Sequence, residues 1–159
     1  MAQPIPDGME GVSIYLVVRD AKAAVDFYVK AFGAQPGMFT YMPDGKTPMH
    51  AEFHLKGSTV MLSQENPDWN VKSAETLGGS PISMHLYFED CDAAFKRAVD
   101  AGCEVVSPLT DMFWGDRFGK VRDPFGLEWG LATHKEDVDA AEMERRAATF
   151  FAEMGGGEA

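Results

Sequence analysis

Polar side chains that could transfer protons alternate with apolar side chains along residues 49–55. Side chains two residues apart lie on the same face of a β-strand, so one face would carry His50, Glu52 and His54. The other face would carry only apolar residues, namely Met49, Ala51, Phe53 and Leu55. Two imidazoles and a carboxylate on one face could act as general acids and bases, or they could bind a metal ion. They could equally form a solvent-exposed face of a sheet, and the spacing alone leaves these interpretations open.

A second candidate site lies in residues 113–129, where polar side chains stand among large aromatic rings. Residues 123–126 at its centre have the sequence Asp-Pro-Phe-Gly, which favours a tight turn between two strands. The polar residues are Asp116, Arg117 and Glu128, and the rings beside them include Trp114 and Phe118. This composition suits the wall of a ligand pocket, although an ordinary half-buried hairpin would look similar. Asp116 and Arg117 could pair with each other, or they could orient a polar group of a ligand.

Charge and composition exclude several classes of function. The net charge of −11 and the pI near 4.7 argue against binding to nucleic acid or to an anionic membrane surface. No apolar run reaches the length of a membrane span, and residues 1–10 lack the pattern of a secretion signal. The two cysteines, Cys91 and Cys103, have no framework spacing, so we expect free thiols and a cytoplasmic location.

The elements that would position the candidate residues occur twice along the chain. Ser83–Asp90 matches Ser13–Asp20 at an offset of 70 residues, and serine, leucine and aspartate recur at equivalent positions. In each copy an apolar strand precedes an aspartate that can cap the N-terminus of a helix. Further strands are predicted at 38–42, 49–55 and 59–63 in the first copy and at 104–110, 112–122 and 127–133 in the second. The repeated strand–helix–strand–strand–strand unit indicates an internal duplication.

We therefore predict an α+β fold of two tandem βαβββ modules at residues 11–65 and 81–133, with a linker at 65–80. Residues 135–153 are predicted to form an amphipathic C-terminal helix. Its apolar face includes Phe150 and Phe151, which must be covered by this domain or by a second copy of the chain.

The duplicated modules resemble the vicinal oxygen chelate superfamily, which includes glyoxalase I, extradiol dioxygenases, and the fosfomycin and bleomycin resistance proteins. The resemblance covers about residues 11–133. Within it, residues Phe113–Gly115 and Phe118–Val121 are similar in sequence to the PhnB-like group. The resemblance implies curved sheets around a concave cavity, and modules that associate within or between chains. It implies a small-molecule ligand or substrate as the partner, and a homodimer is expected.

The resemblance also implies four metal-ligand positions, and this sequence departs from them. They fall on Ser13, on Leu62 or Ser63, on Ser83 and on Gly130. Serine hydroxyls and a glycine cannot hold a divalent cation as imidazole and carboxylate do. We therefore expect no familial metal site and no cofactor, although a divalent metal in a displaced site stays possible.

In a β-strand, residues two positions apart lie on the same face. If Ser83 and Gly130 face the family's cavity, His85 and Glu128 therefore face it as well. By this argument His85 and Glu128 are the candidate catalytic residues. The candidate ligand-binding residues are Tyr15, His50, His54, Trp114, Asp116, Arg117 and Phe118. Two functions are compatible with this set. The first is a glyoxalase-like or bleomycin-resistance-like protein that binds a small molecule without chemistry. The second is a lyase, isomerase or dioxygenase that uses a displaced metal or a His/Glu acid–base pair.

Overall fold

Two four-stranded sheets, one from each half of the chain, dominate the computed structural model, which describes residues 3–6 and 9–155. The first sheet contains β1 (Ile14–Val18), β2 (Gln35–Tyr41), β3 (Pro48–Leu55) and β4 (Ser58–Gln64) in the order β1-β4-β3-β2. The second sheet contains β5 (Ser83–Tyr87), β6 (Glu104–Asp111), β7 (Asp116–Arg122) and β8 (Glu128–His134) in the order β5-β8-β7-β6. The strand order is the same in both sheets, which confirms the predicted α+β fold of two βαβββ modules.

Each module has one main helix, and the two helices begin in the same way. The helices of the chain are α1 (Ala21–Phe32), α2 (Ala74–Leu77), α3 (Cys91–Ala101) and α4 (Ala140–Gly155). The Asp20 carboxylate accepts from the Ala23 amide at 2.9 Å, and the Asp90 carboxylate accepts from the Ala93 amide at 3.0 Å. These are N-caps of α1 and α3, as the repeated aspartate predicted.

The modules share one hydrophobic core, and the carboxylate of Asp123 lies inside it. Asp123 accepts hydrogen bonds from the Tyr28 hydroxyl of the first module and the Trp129 indole of the second, both at 2.8 Å. It also accepts from the backbone amides of Phe125 and Leu127, each at 2.9 Å. Burial raises the pKa of Asp123 even though these four donors favour the ionised form. Asp123 therefore orders the 123–126 turn and joins the two halves of the chain.

Some boundaries differ from the sequence prediction for identifiable reasons. Trp114 lies in the turn between β6 and β7, because β7 begins at Asp116 and not at 112. The C-terminal helix begins at Ala140 and not at 135, because the amides of Lys135 and Glu136 donate to the carbonyl of Gly115. The linker at 65–80 contains a short 3₁₀ turn and α2. None of the helices in the described residues is both long and apolar enough to cross a bilayer.

Candidate ligand-binding site

The first sheet has one face packed on α1 and one face that remains partly exposed. Leu16, Phe53 and Leu62 are buried on the packed face. Met61 of β4 pairs with Tyr15 of β1 on one side and with Glu52 of β3 on the other. Tyr15, Glu52 and the neighbouring His50 therefore share the opposite face. The predicted alternation separates a buried side from a polar side over residues 50–55, whereas Met49, predicted on the apolar side, is 43% exposed and lines the cavity described next.

A cavity of about 490 Å³ opens on this polar face of the first module. Its walls come from β1, β3, β4, the turn between β2 and β3, and the segment that follows β4. They consist of Tyr15, Val17, Met42, Thr47, Pro48, Met49, His50, Ser63, Gln64, Glu65, Asn66, Trp69 and Val71. Volumes of this size are typical of small-molecule sites. Trp69 remains 63% exposed at the cavity wall, so its ring is free to contact a ligand.

Three side chains on the polar face of the first sheet form a hydrogen-bonded chain. The Tyr15 hydroxyl lies 3.2 Å from His50 Nδ1, and His50 Nε2 lies 3.2 Å from Glu52 Oε1. A carboxylate can only accept hydrogen bonds, so His50 carries its proton on Nε2 when the ring is neutral. Nδ1 then accepts the hydrogen bond of the Tyr15 hydroxyl. This arrangement orients the imidazole and could also move a proton between Tyr15 and His50.

A fixed negative charge stands at another part of the cavity wall. Glu65 accepts from the Ser73 amide at 3.0 Å and from the Thr76 hydroxyl at 2.7 Å, and Arg19 lies 3.4 Å away. The Ser73 amide, followed by the Thr76 hydroxyl, lowers the pKa of Glu65 to about 2. The lining residues of the cavity include no lysine or arginine. The cavity therefore favours neutral or cationic groups over anions.

The corresponding face of the second sheet is filled by stacked rings. His85 and Phe118 stack with centroids 5.5 Å apart and planes 7° from parallel, and Gly130 lies beneath them. A Cβ atom at position 130 would lie 2.8 Å from the Phe118 ring and 2.9 Å from His85 Nδ1. A side chain at position 130 would therefore displace one of the stacked rings, and glycine itself offers a metal no side-chain ligand.

The other familial metal positions fit a cation no better. The Ser13 hydroxyl is directed at the sulfur of Met9, 3.2 Å away, and Ser83 is exposed at the start of β5. Within the described residues, no group of three or more His, Cys, Asp or Glu side chains is arranged to hold a metal ion.

The two candidate catalytic residues lie on one face of the second sheet but have different partners. His85 pairs in register with Gly130 and Glu128 with Ser83, so the two side chains lie on the same face of the sheet. The Glu128 carboxylate lies 2.9 Å from an Arg122 nitrogen and 3.3 Å from Lys120 Nζ. The hydrogen bond from Arg122 lowers the pKa of Glu128, which favours its ionised form. His85 stacks on Phe118 and is not bonded to Glu128.

Asp116 and Arg117 point in opposite directions and do not pair with each other. Asp116 is buried, and it accepts from the Tyr87 hydroxyl at 2.8 Å, the Trp114 indole at 3.2 Å and His134 Nδ1 at 2.8 Å. Although burial opposes ionisation, these donors lower the pKa of Asp116. Arg117 donates from Nε and Nη2 to the two oxygens of the Asp92 carboxylate, each at 2.7 Å, at the start of α3. Arg117 is thus directed away from the open face of the sheet.

The structure divides the predicted site residues into two groups. Tyr15 and His50 line the first-module cavity, whereas His54 does not; it is bonded to Thr59 at 3.1 Å near the turn between β3 and β4. The second sheet carries His85, Trp114, Asp116, Arg117, Phe118 and Glu128, none of which lines that cavity. Sequence patterns did not reveal the Tyr15–His50–Glu52 chain, because its members come from two strands that β4 separates. Glu65 and Trp69 were also missed, since they lie in a segment predicted to be a linker.

Comparison with known proteins matches residues 12–131 to the family described as the Glyoxalase/Bleomycin resistance protein/Dioxygenase superfamily. An uncharacterised protein of Mycobacterium bovis is 43% identical over 141 residues, covering 84% of this chain and 89% of that protein. A solved Arabidopsis thaliana structure is 30% identical with a TM-score of 0.63, covering 77% of this chain and 97% of that one. The PhnB protein from Bacillus cereus is 19% identical with a TM-score of 0.60, covering 78% and 99% of the two chains, and that likeness shows the fold alone.

Proposed function

Since the chain belongs to the glyoxalase/bleomycin resistance protein/dioxygenase superfamily, we propose that it binds a small, largely apolar molecule in the cavity of its first module. The proposal rests on a cavity of about 490 Å³ with an aromatic and aliphatic lining, in which Tyr15 and His50 are oriented by hydrogen bonds. Apolar walls with a few oriented polar groups are the usual composition of ligand sites. We further propose, from the sequence of residues 113–129, that the chain belongs to the PhnB-like group of this superfamily.

Metal-independent binding is supported by the same geometry. Serine and glycine stand at the familial ligand positions, and Gly130 has no room for a side chain. We therefore propose that ligand binding needs no divalent cation. Elemental analysis of the purified protein tests this part, since near-stoichiometric zinc, nickel, manganese or iron that is lost in His85→Ala would contradict it.

A thermal-shift screen of small aromatic molecules, followed by titration of the hits, tests the binding proposal. We expect Trp69→Ala to weaken a hit by roughly fivefold, since stacking on an exposed ring is worth about 1 kcal/mol. Trp114→Ala is the matched control, because Trp114 donates to Asp116 outside the cavity. Equal losses in both variants would place the ligand elsewhere.

We also propose a homodimer that forms along a groove between the two sheets. Strands β1 and β5 lie at the ends of their sheets, and a groove of about 390 Å³ runs between them. Val12, Leu77 and Ile82 line it with more than half of their surface exposed. Unpaired strand edges beside exposed apolar side chains are typical of an interface, and Lys72 is the one charged residue in this lining.

Light scattering tests the dimer. We expect a mass near twice 17.4 kDa at high micromolar concentration. Ile82→Asp should shift the mass toward the monomer, whereas Val105→Asp, on β6 at the far edge of the second sheet, should not. A mass near 17.4 kDa for the unmodified chain would contradict the proposal.

A catalytic function is the second candidate, and the chain Tyr15–His50–Glu52 is the observation that favours it. A tyrosine that donates to a carboxylate-oriented histidine can exchange a proton with a bound substrate. The His85–Glu128 pair supports this candidate less well, because Arg122 and Lys120 already engage the Glu128 carboxylate. Turnover of a screening hit that is lost in His50→Ala but kept in His85→Ala would favour this second function.

A further inference from the structure

We infer that the first-module cavity selects ligands that present a hydrogen-bond donor to the Tyr15 hydroxyl, and that His50 and Glu52 set this preference. The inference rests on the proposed binding function. It adds the chemical class of the ligand and identifies the residues that determine it.

The preference starts at Glu52, the member of the chain farthest from Tyr15. Its carboxylate accepts a hydrogen bond and cannot donate one, so the facing His50 Nε2 carries the proton of the neutral ring. The Glu52 and His50 side chains keep only 19% and 21% of their surface exposed. Their limited exposure holds the pair together and keeps the tautomer fixed.

The fixed tautomer determines what Tyr15 can offer a ligand. His50 Nδ1 has a lone pair and no hydrogen, so the Tyr15 hydroxyl must donate across the 3.2 Å contact. A phenol has a single hydrogen, and this contact uses it. The oxygen of Tyr15 keeps a lone pair, and the side chain is 50% exposed in the cavity wall. Tyr15 therefore acts toward a ligand as an acceptor.

Other polar groups of the cavity wall strengthen the same preference. Glu65 is an ionised acceptor, and the Thr47 hydroxyl already donates to Asp44 at 2.6 Å. The lining has no lysine or arginine that would donate to a ligand acceptor. Ser63, Gln64 and Asn66 can take either role and do not discriminate, and the Trp69 indole N–H can only donate. A ligand with an N–H or O–H group on an apolar ring fits this arrangement, whereas an acceptor-only ring lacks a partner at Tyr15.

Three bicyclic rings of similar size test the inference: indole, which donates through N–H; benzofuran, which lacks a donor; and quinoline, which only accepts. Their affinities are measured by NMR titration of the labelled protein at pH 8, above the range in which histidines ordinarily titrate. We expect indole to bind three- to tenfold more tightly than benzofuran, the effect of one neutral hydrogen bond. Tyr15→Phe should abolish the difference. Tyr41→Phe, which removes a hydroxyl from β2 outside the cavity lining, should preserve it.

A second variant tests the role of His50. In His50→Phe the ring remains but the acceptor is lost, so the Tyr15 hydroxyl becomes free to donate. We expect quinoline to gain affinity in this variant by a factor of three or more. Equal binding of indole and benzofuran by the unmodified protein, or a preference that survives Tyr15→Phe, would overturn the inference. Failure of all three rings to bind would instead overturn the proposed function on which it rests.

Discussion

The first sheet holds Tyr15, His50 and Glu52 in a chain that ends at a cavity, whereas the second sheet ties its polar residues to one another. Asp116 accepts three side-chain donors, and Glu128 lies between two cations. The modules share strand order and helix caps, so this difference arises from side chains on one face of each sheet and from the segment after β4, which supplies part of the cavity wall. A duplicated fold can thus keep one copy open for a ligand while the other copy satisfies its polar groups internally.

Both regions depend on the core that joins them, and Asp123→Asn should break that core. Asp123 Oδ2 accepts from both Tyr28 and Trp129, and Oδ1 accepts from both backbone amides, so in either orientation the asparagine NH₂ group would face two donors and leave a buried donor unsatisfied. We expect the free energy of unfolding to fall by about 3 kcal/mol in urea titrations. Asp111→Asn is the control, because its side chain is 79% exposed, and it should change stability by less than about 0.5 kcal/mol. A loss below 1 kcal/mol for Asp123→Asn would show that Asp123 does not hold the modules together.

The ring stack on the second sheet can be broken separately by Gly130→Ala. The added methyl group would meet His85 and Phe118 at less than 3 Å, so at least one of the two rings must shift. We expect a loss of about 2 kcal/mol, measured by urea unfolding. Combining Gly130→Ala with His85→Ala or Phe118→Ala should lower this cost, since a competing ring is then absent. Strictly additive effects would show that the ring stack does not explain the glycine.

A smaller, pH-dependent effect should distinguish the second module from the first. Hydrogen bonds to Asp116 and then to Asp137 raise the pKa of His134, so the native state favours the protonated ring. The resulting stabilisation is fully present below the ordinary histidine pKa of about 6.5 and is lost as the pH rises through the raised native pKa. The Tm advantage over His134→Gln should therefore be larger at pH 5 than at pH 9. An equal Tm advantage at pH 5 and pH 9 would contradict this assignment.

The repeat in the sequence predicted the modules and their caps because each copy carries its own local signals. Strand alternation and an aspartate before each helix act within a few residues, so Asp20 and Asp90 could be recognised without a partner. The start of α4 could not be predicted in this way. It depends on the Gly115 carbonyl, which accepts from Lys135 and Glu136 and holds that segment out of the helix.

The site was only partly predictable for a related reason. Sequence alternation placed His50 and Glu52 on one face, but Tyr15 reaches them across β4, and that register exists only in the folded sheet. The sequence alone shows Gly130 only as a missing metal ligand. In the structure, the stack of His85 on Phe118 lies against this position and gives a physical reason for the glycine. Whether His85 and Glu128 act on a ligand stays a prediction.

Ligand binding in the first-module cavity is tested most directly by the indole N–H signals of Trp69, Trp114 and Trp129 in an NMR titration with the screening hit. Trp69 lines the cavity, Trp114 donates to Asp116 on the second sheet, and Trp129 donates to the buried Asp123. We expect the Trp69 signal to shift with ligand concentration while the Trp114 and Trp129 signals stay in place. A shift of the Trp114 signal with an unchanged Trp69 signal would contradict it and would assign the ligand to the second module.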